Sequence, residues 1–178
     1  MCMIRETIIQ AQRDSKWANL PLGFPDNGQT IGQFGCLLTS FSMLVGSTPP
    51  ILNEKMKALN MFNVSSFNTW HINKVDPSYP KFIGQTQRYT SVPVPSSVIQ
   101  RIISHVRANK PMFLEVDMIP YPRNNREDMH WVLPVGIYGH NGSEQIVMHD
   151  PWYGDQTTVC PRYGSSLPAV VRAVFYEW

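Results

Sequence analysis

The sequence predicts an α+β domain, with an N-terminal helical subregion packed on a mainly antiparallel C-terminal sheet. Three observations carry this. Apolar residues at helical spacing fall in Cys36–Val45, Pro49–Leu59 and Pro95–Asn109. Strand-like runs begin only at Met112, and two of them flank Asn141-Gly142, a favoured hairpin turn. The 15 prolines and 11 glycines among 178 residues break the chain too often for a long-helix or coiled-coil protein. Helices first and strands second argue against alternating βαβ units.

Each element has its own signal. Pro21 to Gly35 is rich in Gly, Pro, Asn and Gln and reads as a loop. Cys36–Val45 places Leu37, Leu38, Phe41, Leu44 and Val45 on one face, and Gly46 is its stop signal. The second helix starts at Pro49, suited to a first turn, with Thr48 or Ser47 as cap. Asn63 to Tyr89 reads as irregular. The third helix, capped by Ser96 or Ser97, has Val98, Ile99, Ile102, Ile103 and Val106 on one face. Strands are expected at Met112–Met118, Met129–Tyr138, Gln145–His149, Thr157–Cys160 and Val170–Tyr176, with a loop at Pro120–Asp128.

Composition narrows the function classes. At 43% hydrophobic, the chain can build a core, and its length suits a single domain (helical part about 1–110, sheet part about 111–178). A net charge of +2 provides no strong field for nucleic acid or anionic lipid, and no apolar run is long enough to span a bilayer. No signal peptide is evident at the N-terminus, so the default expectation is a cytoplasmic protein. The 3 cysteines are odd in number and lack a CxxC pair, so neither a disulfide framework nor structural zinc is expected.

One cysteine stands apart. Thr30-Ile-Gly-Gln-Phe-Gly-Cys36-Leu-Leu-Thr-Ser puts Cys36 after a glycine-rich loop at the first turn of an apolar helix. A helix N-terminus favours the thiolate, the nucleophilic form, and its N–H groups can hold an oxyanion. Gly35 would let a substrate backbone approach closely. A buried packing cysteine is the alternative. Cys2 and Cys160 lack such a setting.

The nucleophile needs a base. His105 reads as a solvated helix residue, His140 as a turn residue, and His71 lies in the irregular middle. His130 and His149 sit at strand edges beside the loop-rich end. A two-residue Asn141-Gly142 turn would set His130 opposite Tyr153 and Asp150 opposite Leu133. A looser loop or one β-bulge would bring His130 and Asp150 together, with Asp150 orienting the imidazole. His149 is the rival, and strand alternation turns it away from the face of Asp150. Trp131, Trp152 and Tyr153 lie beside these residues and could line a groove, as could Tyr163 and Phe175, with core packing the commoner role. Glu115 and Asp117 read as a solvated sheet face.

Taken together, Gln12-Arg-Asp-Ser-Lys-Trp17, the Cys36 segment, His130-Trp-Val-Leu-Pro-Val-Gly and His149-Asp150-Pro-Trp152 resemble the bacteriocin-processing (double-glycine leader) peptidase-like family of papain-like cysteine peptidases. Leu52-Asn53 and the Phe113-Leu-Glu-Val-Asp strand fit as well. The resemblance spans about Gln12 to Asp155. It implies a papain-like fold and a Cys36-His130-Asp150 triad working without a cofactor. It also implies Gln12 in the oxyanion hole and a peptide or protein substrate. In many such enzymes the glutamine stands a few residues before the cysteine. Here the Pro21–Thr30 loop intervenes, and Gln29 and Gln33 are nearer. No transporter domain of the kind fused to leader peptidases is expected within these residues, which leaves the double-glycine substrate open. A peptidoglycan-peptide amidase of bacterial or phage lysin type, and a silent binding domain, are the alternative readings.

Overall fold

The structure, a computed structural model, describes residues 2–3, 7–25, 28–63, 66–89, 94–118, 129–139, 143–163 and 170–178. The predicted Pro120–Asp128 loop and the Asn141-Gly142 turn lie outside the described residues. Helices and an antiparallel sheet combine as an α+β domain.

After strand β1 (Cys2–Met3) come α1 (Ile31–Phe34) and α2 (Cys36–Val45). Gly46 ends α2 at φ 66, a left-handed residue whose N–H donates to the Ser42 carbonyl. Helix α3 (Pro49–Ala58) has Pro at its first turn and Thr48 as N-cap residue. Short strands β2 (Phe62–Asn63) and β3 (Ser66–Phe67) and a 3-10 turn (Thr69–Lys74) lead to β4 (Lys81–Gln85). Helix α4 (Ser96–Arg107) has Pro95, not Ser96 or Ser97, at the N-cap. The sheet is completed by β5 (Met112–Asp117), β6 (Met129–Tyr138), β7 (Gln145–Asp150), β8 (Asp155–Thr158) and β9 (Val170–Glu177). The chain expected to continue as strand to Cys160 instead turns into α5 (Val159–Arg162).

The strands run β4-β9-β5-β6-β7-β8, all neighbours antiparallel, and β1 pairs with Gly136 and Ile137 of β6. The division into a helical and a sheet half is therefore less clean than the sequence predicts. The early segments β1 and β4 both enter the sheet, β4 by pairing with β9 at the far end of the chain.

Alternation along β5 explains the layering. Phe113 faces α2 and α3, while Met112, Leu114 and Val116 face α4. Phe41 of α2 packs at a tilt against Phe113, with ring centroids 4.2 Å apart, and meets Tyr176 edge-on at 5.6 Å. Such pairs add about 0.5–1.5 kcal/mol each beyond their buried area. They fix where α2, and so its first residue Cys36, ends. Ile102, Ile103 and Val106 of α4 seal the opposite face.

A bulge sets the β6–β7 register. Tyr138, Ile137 and Gly136 face Gln145, Ile146 and Val147, the pairing a two-residue turn gives. Val135 is then an extra residue, so Pro134 faces Met148 and Leu133 faces His149. One further step puts Asp150 beside Val132, on the face that carries His130. Without the bulge Asp150 would point to the other face.

Candidate active site

Cys36, His130 and Asp150 converge at the end of the sheet where α2 begins. Cys36 and His130 line one cleft of about 280 Å³, together with Gln12, Gln33, Trp131 and Trp152. His130 Nε2 hydrogen-bonds Asp150 Oδ1 at 2.9 Å, and both side chains are buried. That leaves Nδ1 for Cys36, whose sulfur also hydrogen-bonds and interacts by charge with the imidazole. Burial pulls the His130 pKa down. The hydrogen bonds to Asp150 and Cys36 and the negative charge of each outweigh it, raising the pKa to about 9.

Asp150 is held from four sides. Oδ1 accepts from His130 and from the Trp152 N–H at 2.9 Å, and Oδ2 accepts from Tyr163 O–H and from Arg162 Nη1 at 3.2 Å. Burial alone would raise its pKa; the His130 hydrogen bond and charge, with the Tyr163 and Trp152 donors, hold it below the ordinary value. Arg162 is itself anchored on Asp155 by two hydrogen bonds of 2.8 and 2.7 Å. Tyr163, a groove candidate by sequence, instead supports the carboxylate. Phe175 is core, and Tyr153 is exposed with Arg162 over its ring. Replacing Tyr163 by Phe should cost about 1 kcal/mol of stability, one buried hydrogen bond, in a denaturant titration. A carboxylate with one donor fewer is more basic and pairs more strongly with His130, so any pH midpoint set by His130 should move upward.

Gln12 is buried against the same cleft. Its N–H donates to the Pro151 carbonyl at 2.7 Å, tying it to the residue after Asp150. Its Nε2 donates to the Gly32 carbonyl at 3.0 Å, which leaves one amide hydrogen for the cleft. The Gln12–Trp17 signature acquires a physical meaning here. Asp14 accepts the Lys16 N–H, its carbonyl accepts from Trp17 and Ala18, and Trp17 Nε1 returns to the Ala11 carbonyl at 2.9 Å. This turn delivers Gln12 from far upstream. Gln33 is exposed on the cleft rim, whereas the Gln29 carbonyl pairs with the Leu22 N–H inside the preceding loop.

Gly35 has a packing role that the sequence does not show. It is buried, and an added Cβ would overlap the Ile31 carbonyl oxygen and stand 2.8 Å from Ile31 Cγ2. The glycine is required for the tight junction of α1 with α2. Gly35→Ala should destabilise the fold by roughly 1–3 kcal/mol, an overpacking cost measurable by thermal unfolding.

The other histidines are engaged elsewhere. His149 Nδ1 meets Thr7 Oγ1 at 2.9 Å and Nε2 meets Gln156 Oε1 at 3.0 Å, on the opposite face from His130. His105, expected to be solvated, is half-buried with Nε2 between the carbonyls of Pro111 and Tyr176. His71 is exposed, and His140 lies outside the described residues. Cys160 is buried, and burial pushes its thiol pKa up. Glu115 and Asp117 are also buried, contrary to a solvated face; Glu115 is ion-paired with Arg88 and Arg172. Among the described residues no group of three or more His, Cys, Asp or Glu side chains is placed to hold a metal, and no helix is long and apolar enough to cross a membrane.

No protein-family model matches the chain, and no curated protein sequence matches it.

Proposed function

We propose that the protein is a thiol hydrolase of the papain-like class, a cysteine peptidase that cleaves peptide bonds. The observation that carries this reading is the Cys36–His130–Asp150 relay, with sulfur and carboxylate acting on the same buried imidazole beside an open cleft. The Cys36 proton passes to His130 Nδ1 and the sulfur attacks the scissile carbonyl carbon. The oxyanion accepts from the remaining Gln12 amide hydrogen and from the Cys36 N–H, which as the first helical residue has no intrahelical acceptor. His130 returns its proton to the leaving amine as the C–N bond breaks, giving a thioester. Water, deprotonated by His130, attacks the thioester; the C–S bond breaks and the acid leaves.

The raised His130 pKa gives the pH dependence. The imidazolium that protonates the leaving amine is populated below about 9 and lost above it. A peptide library incubated with the protein and read by mass spectrometry should show new termini that require a reduced thiol. The rate of their appearance should fall on the alkaline side with a midpoint near 9. Cleavage that persists after full alkylation of the thiols would overturn the reading.

A further inference from the structure

A second cavity of about 310 Å³ adjoins the cleft of Cys36 and shares Leu37, Phe67 and Trp131 with it as a common wall. Trp70, Gln85 and Arg172 form its far side. The charge in this wall comes from a row that crosses adjacent strands. Trp131 of β6 is paired with Glu115 of β5, and Glu115 is paired with Arg172 of β9. Arg88, just beyond β4, closes the row on the same carboxylate.

The row holds two guanidinium groups against one carboxylate. Glu115 is buried, and its oxygens are taken by Arg88 Nε at 3.1 Å, by Arg88 Nη2 and by Arg172 Nε at 3.0 Å. Arg88 spends two donors on this pair. Arg172 spends only Nε, and its two Nη atoms make no hydrogen bond among the described residues. Its guanidinium also lies over the Trp131 ring, 4.9 Å from the centroid, so it is held from two directions before any ligand arrives. A fixed guanidinium with two outer donors is suited to bidentate recognition of a carboxylate. The aromatic walls would take the alkyl part of such a group, and the Gln85 amide adds a further donor at the rim.

We propose that this cavity is an acid-selective subsite in which Arg172 binds a substrate carboxylate next to the scissile bond. The proposal rests on the peptidase reading and adds its substrate class: peptides with an acidic side chain, or a free C-terminal carboxylate, a short distance from the bond cut. The two sources share one chemistry and are separated by the test.

The test pairs peptides that differ only by Glu against Gln at each position around the scissile bond, with each C-terminus as acid or amide. Binding is measured on the Cys36→Ala protein and hydrolysis on the wild type. A glutamate at one position, or a C-terminal acid, should strengthen binding roughly tenfold over its neutral partner, the scale of one charge-assisted hydrogen bond. Arg172→Met should erase that preference, so that acidic and neutral peptides bind alike. Because Arg172→Met alone leaves buried Glu115 short of a partner, the double variant Glu115→Gln/Arg172→Met serves as the folded control, checked by its melting temperature. Acid preference without hydrolysis would sustain the subsite and overturn the peptidase reading. Hydrolysis with no acid preference, no binding preference at all, or a preference that survives in the double variant would overturn the subsite.

Discussion

Cys36→Ala should reduce hydrolysis of a cleaved peptide by at least about 10⁴-fold, because a group acting in concert with its base takes most of the rate with it when removed. The fold should persist. Cys36 is only half-buried at the first position of α2, and α2 is held by Leu38, Phe41 and Leu44, which are almost fully buried. Cys36→Ser keeps the geometry but replaces the thiol by a much weaker acid, so it should fall nearly as far. Both are measured as kcat/KM by product chromatography, with melting temperature alongside. Residual activity above about one per cent of wild type in Cys36→Ala would remove sulfur from the mechanism.

The second large effect is expected from Asp150→Ala, a drop of roughly 10³-fold or more in kcat/KM, the scale seen when an orienting carboxylate is lost. The pH profile should change in a characteristic direction. Burial disfavours the charged imidazole, and Asp150 is one of the two groups that reverse this. Without it the alkaline midpoint should move below 9, opposite in sign to the shift expected for Tyr163→Phe. A fall in rate with an unmoved midpoint would mean that Asp150 supports the fold but does not act on His130. His130→Ala is the companion measurement and should match Cys36→Ala in size.

Much of the helical framework was legible because its signals are local. The apolar spacing of Cys36–Val45, the left-handed Gly46 and Pro49 each act within a turn of the helix they shape. Strand β4 was not legible. Lys81-Phe-Ile-Gly-Gln is short, carries Gly84 at its register shift, and owes its existence to β9 near the other end of the chain. Cys36 could be singled out from its own neighbours in sequence, since a helix N-terminus is a local feature. Joining His130 to Asp150 needed a register that residue identity does not announce. Pro134 was the available clue, since a proline within a strand sits at an edge or beside a bulge. Tyr163 and Arg162 reach Asp150 through the α5 turn, and no spacing in the sequence marks that return. The burial of Glu115 was missed for the same reason, because its two arginine partners come from distant segments.

The extra residue at Val135 makes the chemistry a matter of counting as much as of composition. Were Val135 paired with Met148 as an ordinary strand residue, every position from Gln145 to Asp150 would keep its neighbours in the chain and change sides relative to His130. His149 would come round to the side of His130, and Asp150 would pass to the side now occupied by Thr7. Such a chain would retain every residue of the triad and nearly all of its core, yet it would set histidine against histidine with no acid between them.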